Sequence, residues 1–411
     1  MSELNFTHSN GNKVKLTTPD TLAANKTFKL PGTDGSGGQV LQTDGSGALS
    51  FASKLTGNQN MVINGGMTIS QRYGTSEYTP NQNSTYNRFA LDMMRYDLSQ
   101  TSKFKVQQVT DAPAGFSYSM KVTSLSAYTS SANDYFLLQN MIEGRDIARL
   151  DWGTANAQPV TLSFYVKSSI TGVHACGIRN RVYNRGITQT YTINNANTWE
   201  YKTVTFIGDT SGSWDVDTQA GLKINFDLGS GSGYEAASTG TWLGTNDFIT
   251  SNSVKLLATN GATWYITGLQ LQVGSIATPF EHLSFADELR HCSRYFTFVP
   301  SGTVFPGRGN SSSSYIYSYQ APVPMRASPT IGVSNDLAHG TFSMRRYRDG
   351  TGVSDSTSTP TTNSTYFQGN TNMIHLIQGG FSGADDRSAT LFLSGGAILI
   401  HADLDLSLIH I

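Results

Sequence analysis

Apolar and polar residues alternate in short runs through most of this chain, and the period is two. From Val160 to Val166 the residues Val160, Leu162, Phe164 and Val166 share one face, and from Leu222 to Leu228 the residues Leu222, Ile224, Phe226 and Leu228 do the same. Successive side chains of a pleated strand point to opposite sides, so both segments are expected as half-buried antiparallel strands. Phe104-Lys105-Val106, Tyr118 to Val122 and Trp199-Glu200-Tyr201 repeat the pattern. Trp264, Ile266, Leu269, Leu271 and Val273 change face across Gly268, which predicts a bulge there. A helical period occurs once: Phe285, Leu289, Cys292 and Phe296 fall on one stripe, behind Ser284 with Asp287 three residues on as a capping signal. Beyond it, Tyr315 to Tyr319, Thr330 to Val333 and Leu391 to Leu393 read as strands of a second β region. The Ser/Thr/Asn-rich segment from Asp349 to Thr365 reads as a long exposed loop.

The beginning of the chain has a different pattern. Thr33-Asp34-Gly35-Ser36-Gly37 returns as Thr43-Asp44-Gly45-Ser46-Gly47, and only short apolar steps, Val40-Leu41 and Leu49-Ser50-Phe51, follow the two copies. Asp and Ser bond their own backbone and Gly accepts positive φ, so each copy is a turn signal. A segment with so little to bury cannot offset its ordering entropy alone, so it is expected either to be floppy or to order by packing against copies of itself, as a thin shaft does. The expected fold is therefore all-β: an extended N-terminal repeat segment, a jelly-roll-like β-sandwich, one short helix and a C-terminal β domain. The corresponding spans are 1–58, 59–282, 283–296 and 297–405. Residues 406–411, Leu406 to Ile411, resemble the in-frame translation of a sequencing adapter; the alternative is an ordinary terminal strand.

Three stretches carry a resemblance. Leu22 to Pro31 with Gly38 to Leu41 and the second repeat copy through Phe51 is similar to the N-terminal part of bacteriophage tail fibre and related virion fibre proteins. Met61 to Arg72 resembles the opening strand of the fibres' large β domain, and Leu269 to His282 its closing stretch, with Cys292 to Phe296 following. The resemblance implies a sandwich of the carbohydrate-binding-module type and a virion location on tail or capsid. It also implies a homotrimer, attached to phage tail or capsid proteins at one end and to a bacterial surface glycan or protein at the other.

Composition narrows the partners. Charged residues are only 14% of the 411, and Ser, Thr, Asn and Gly fill the polar positions instead. A net charge of -1 with no basic stripe argues against nucleic acid, and no apolar run approaches the ~18 residues of a membrane span. The sequence shows no apolar leader, so a product that works outside its cell of origin is expected to be released by lysis rather than secretion. Two cysteines, Cys176 and Cys292, in so long a chain read as unrelated thiols, Cys292 as an inert one on the helix stripe.

Searching for chemistry finds no HExxH, CxxC, G-x-S-x-G or P-loop, and no cofactor is expected. His282 and His291 are nine residues apart and do not share the face a metal pair needs. Asp209, Asp215 and Asp217 bunch in one loop, as Ca²⁺ ligands or as carboxylates capping a polar turn. Trp214, Tyr234 and Trp242 lie among Gly, Ser and Thr, either as a platform on which sugar rings stack or as packing over the sandwich edge. The leading expectation is a non-enzymatic adhesive fibre. The alternative is a polysaccharide depolymerase, whose paired carboxylates leave no spacing in sequence.

Overall fold

The computed structural model describes residues 3–7, 13–17, 27–32, 34–35, 39–43, 46–53, 59–80, 88–311, 314–327, 329–333, 343–348, 351–356, 361–362, 373–378, 388–395 and 398–402. The tail from Leu406 to Ile411 lies outside the described residues. The chain divides into two compact units, Met1–Gly57 and Asn58–Ile411. In the first, β1 (Glu3–Thr7) pairs antiparallel with β2 (Lys13–Thr17), and β3 (Gln39–Thr43) with β4 (Leu49–Ser53). The second repeat copy falls between β3 and β4. Its Gly47 has φ 101°, and its carbonyl accepts from the Lys29 N–H at 2.9 Å while the Leu49 N–H donates to the Lys29 carbonyl at 2.8 Å. Phe28, Leu30, Val40, Leu41 and Phe51 are all exposed in this unit.

The second unit is built on two antiparallel sheets packed face to face. One has five strands in the order β13 (Glu200–Phe206), β10 (Val160–Ser168), β16 (Thr263–Val273), β8 (Ser119–Ser124), β7 (Phe104–Val109). The other has seven, in the order β15 (Trp242–Leu243), β12 (Gly186–Ile193), β11 (Gly172–Arg179), β14 (Ala220–Asp227), β9 (Phe136–Glu143), β6 (Met94–Leu98), β5 (Phe89–Leu91). Leu162, Phe164 and Val166 of β10 meet Leu222, Ile224 and Phe226 of β14 in one core, with the Phe164 and Phe226 rings edge to face at 5.1 Å. The sandwich is jelly-roll-like, the chain crossing repeatedly from one sheet to the other, as from β8 to β9 to β10 to β11 and from β12 to β13 to β14. The bulge expected in β16 is present: the register with β10 slips between Ser163 and Tyr165, and Gly268 sits at φ 63°.

β7 and β13 alternate in burial as the pattern predicts, but β10 and β14 are not half-buried. Every residue of β14 is buried, including Lys223 and Asn225 on the side away from the core. That outer face is covered by other parts of the chain. At one end lie Met141, Ala220, Cys292 and Tyr295 with helix α2 (Phe285–Ser293), and at the other lie Leu137, Phe248 and Ile249 with Tyr135 and Tyr234.

The segment from Met61 to Arg72 is a turn-rich ribbon instead of the opening strand its resemblance implied. It lies along β16, where the Met61 N–H donates to the Leu271 carbonyl and the Leu269 N–H to the Gly65 carbonyl, each at 2.9 Å. Buried Asn64, at φ 59°, holds the ribbon in place: its amide donates to the Ile69 and Asp92 carbonyls at 2.8 Å and accepts from the Ile69 N–H at 2.9 Å.

Helix α2 begins as its cap predicts, with Ser284 Oγ accepting from the Asp287 N–H at 3.1 Å. Its buried side differs from the expected stripe. Phe285 is 65% exposed, whereas Cys292 is buried beside Ser293 and Glu288. Both cysteines are free and buried, and burial raises both thiols. A one-turn helix, α1 (Gly144–Ile147), follows β9 with no signal in the pattern.

In the C-terminal β region, Phe296–Val299, Ile398–His401 and Thr330–Val333 form a three-stranded sheet, and a larger sheet runs through Val304–Ser311, Ser314–Gln320 and Ser388–Gly395. Phe305, Tyr317, Ile374, Leu393, Ile398 and Ile400 share a separate core. The segment from Asp349 to Thr365 is not wholly a loop, because Thr351–Ser356 and Thr361–Thr362 are strands.

His174, on the core side of β11, predicts a pH response. Burial lowers it from 6.5 to about 4, so the folded protein carries it neutral while the unfolded chain protonates it near 6.5. Its contribution, about 3 kcal/mol, is present above that value and is lost as pH falls towards 4. Urea midpoints of His174→Phe and the parent, measured across this window, should show a flatter profile for the variant.

Candidate functional site

Trp214 and Trp242 come together, and Tyr234 does not join them. The Trp242 ring is 9% exposed and meets Trp152 at 5.2 Å and Trp214 at 5.4 Å, and Trp152 meets Trp214 at 4.6 Å, all edge to face. Trp242 donates to the Ile207 carbonyl and Trp214 to Asp209 Oδ2, both at 3.0 Å. The pair is thus the edge of the sandwich core, completed by Trp152. Tyr234 stacks on Phe248 at 4.8 Å and meets Tyr135 edge to face at 5.9 Å, over the outer face of the seven-stranded sheet.

The three aspartates are directed to three different tasks. Asp209 is buried and takes the Arg185 guanidinium through two hydrogen bonds of 2.8 and 2.5 Å. Burial alone would raise its carboxyl, and the Arg185 and Trp214 bonds outweigh that and hold it below the usual range. Asp215 pairs with Arg181 at 2.7 Å, and Asp217 accepts from the Gln219 N–H at 2.7 Å as a turn cap. A side chain at Gly212 would collide with Asp209 and Trp214, so this turn closes on arginine and tryptophan, and the three carboxylates are engaged separately. Among the described residues no group of three or more His, Cys, Asp or Glu is placed to hold a metal.

A site that the sequence did not mark lies between the two coverings of the seven-stranded sheet. Strand register builds it. Arg95 of β6 is opposite Gln139 of β9, Gln139 is opposite Asn225 of β14, and Lys223 of β14 is opposite Arg179 of β11. Side chains in register on one face are neighbours, so these five polar groups form one patch. Asn225 Oδ1 accepts from Gln139 at 2.8 Å and from Arg179 at 3.0 Å. Arg179 also donates to Asn246 and lies between two rings, its Cζ 4.8 Å from the Tyr183 centroid and 4.6 Å from that of Phe248. Lys223 donates to the Tyr183 hydroxyl at 2.7 Å. Tyr183 is half-buried on the β11–β12 hairpin turn, at φ 61°, with Asn180 and Arg185 closing the turn at 2.9 Å. Inside the patch, Arg179 Nε and Gln139 Oε1 are buried with no hydrogen-bond partner.

A cavity of about 340 Å³ lies elsewhere, beside α1 and α2. Glu143, Glu281 and Glu288 line it with Asp146, opposite Arg145 and Arg294. Burial raises the Glu288 carboxyl, against which the hydrogen bond from the Asn64 N–H acts.

No family model matches the chain, and no curated protein does. Among solved structures it is similar to the enzymatically active domain of tailspike protein 4 of bacteriophage CBA120, at 12% identity over 47% of this chain and 21% of that one, with a TM-score of 0.27. It is also similar to a family 11 carbohydrate-binding module of a Clostridium thermocellum cellulosomal cellulase, at 12% identity over 50% and 98% of the two chains, TM-score 0.25. A third is the N-terminal cellulose-binding domain of Cellulomonas fimi β-1,4-glucanase C, at 13% identity over 43% and 91%, TM-score 0.23. At these TM-scores no likeness assigns the chain to a family. The chain spans about a fifth of the tailspike domain's length.

Proposed function

We propose that the chain is an adhesive fibre protein of a bacteriophage particle, mounted on tail or capsid, that binds a bacterial surface glycan without cleaving it. The observation that carries the glycan reading is the outer face of the seven-stranded sheet, where Gln139, Asn225 and Arg179 converge beside Tyr183 and Phe248, the latter stacked on Tyr234. Sugars combine apolar C–H faces with hydroxyls, and rings beside fixed amides and a guanidinium match both. The fibre reading is supported by the motifs of the first unit and by its exposed Leu41 and Phe51, which face each other across the β3–β4 hairpin. Apolar side chains with no core of their own favour association, and a homotrimer multiplies weak single-site contacts through effective concentration.

The enzyme reading has one observation in its favour, the raised Glu288 carboxyl in an acid-lined cavity, the kind of group that donates a proton to a leaving oxygen. One experiment separates the two. The full chain is incubated with an array of host capsular and O-antigen polysaccharides, and bound protein, new reducing ends and sedimentation are measured. Retention without new reducing ends, by a sedimenting trimer, is expected. New ends that vanish in Glu288→Gln would replace adhesion with hydrolysis.

A further inference from the structure

Arg179 is buried, 2% exposed, yet among the described residues no carboxylate pairs with it. Its hydrogen-bond partners are the amide oxygens of Asn225 and Asn246, and Nε has none. A guanidinium removed from water costs several kcal/mol unless its charge and its donors are both met. Amide dipoles and two ring faces meet this only in part. Directly across the strand pair lies a second cation, Lys223, itself fully buried. Burial and then the charges of Arg95 and Arg179 push the Lys223 ammonium well below its ordinary range, so the patch repels its own protons. Asp97 offsets only part of this, being itself engaged by Arg88 at 3.5 Å and by Arg95 at 3.8 Å.

We propose that the glycan bound at this face is an acidic one, and that a carboxylate or phosphate on the sugar closes onto Arg179 and Lys223. The inference rests on the glycan-binding reading and adds the charge class of the ligand. The Tyr183 ring lies over both cations from a hairpin turn outside the ladder, so its displacement opens a way to them while the sheet stays intact. Nε of Arg179 then gains its missing acceptor, and the guanidinium offers the paired donors that a planar oxyanion takes.

The test uses the full chain and an array of acidic and neutral bacterial polysaccharides. Every polysaccharide that binds is then re-tested after carboxyl reduction, which turns uronate into a primary alcohol, and after removal of phosphate by hydrofluoric acid. Binding confined to acidic members and lowered at least tenfold by one of the two treatments is expected, and the effective treatment identifies the substituent. Lys223→Met, which removes a desolvated charge, should melt no lower than the parent and bind the same glycan at least tenfold more weakly. Should this variant fail to fold, the chemical treatments on the unaltered protein still decide. Equal binding to neutral polysaccharides, or unchanged binding after both treatments, overturns the acidic ligand and leaves glycan adhesion standing. Retention of no polysaccharide at all overturns both.

Discussion

Replacing Trp242 by alanine is expected to lower the stability of the protein by about 3–5 kcal/mol, the range for removing a buried aromatic from a core. The ring is held on two sides by Trp152 and Trp214 and by a 3.0 Å hydrogen bond to the Ile207 carbonyl, and its strand β15 is the edge partner of β12. Truncation opens a cavity between the other two rings and leaves that carbonyl without its donor. Glycan binding by the molecules that remain folded should be unchanged, because the ring faces inward. Trp214→Ala should cost less, since its ring is only partly buried and Asp209 keeps Arg185. Thermal melts beside a binding screen measure both effects. A normal melt with binding lost would return Trp242 to the sugar platform.

The sequence marks what periodicity can mark. Leu222 to Leu228 identifies β14 and its core face, and the change of face at Gly268 locates the bulge. The cap at Ser284 locates the helix start. What it does not mark is the covering of a sheet's second side. Lys223 and Asn225 alternate with apolar residues in the same way whether they meet water or a loop folded over them. Arg179 ends β11 in a run with no clean period, and its importance depends on Tyr183 reaching back from the hairpin turn. Trp214 and Trp242 look like loop aromatics because Gly, Ser and Thr surround them. Their partner Trp152 comes from the end of a different connection, and only the topology brings it near. Phe285 has helical spacing but falls on the first turn, outside the face that α2 buries. Tyr234 stands out in the sequence by its loop position, and it lies over the sheet face in contact with Phe248.

The second large effect is expected at the joint between β9 and the end of α2. Glu143, buried at the last position of β9, takes Arg294 Nε at 2.9 Å and a terminal guanidinium nitrogen at 2.7 Å, and accepts from the Tyr295 hydroxyl at 2.9 Å. Burial penalises both charged groups, and the Glu143 hydrogen bond outweighs it for Arg294, whose guanidinium is held above its ordinary range. The same arginine ties the joint to the C-terminal β region, its carbonyl accepting from the Arg326 N–H at 2.9 Å. Arg294→Met leaves a buried carboxylate with Tyr295 and a distant Arg145 Nε at 4.0 Å, and should cost about 3–5 kcal/mol. Glu143→Leu should cost a similar amount by stranding the arginine. The double variant removes both charges and should lose markedly less than the sum, since an apolar pair of similar volume replaces an ion pair at little net cost. Urea unfolding of the three variants gives the coupling directly. Additivity to within about 0.5 kcal/mol would show that Glu143 and Arg294 stabilise the joint independently, and the pair would then be packing rather than a charge lock.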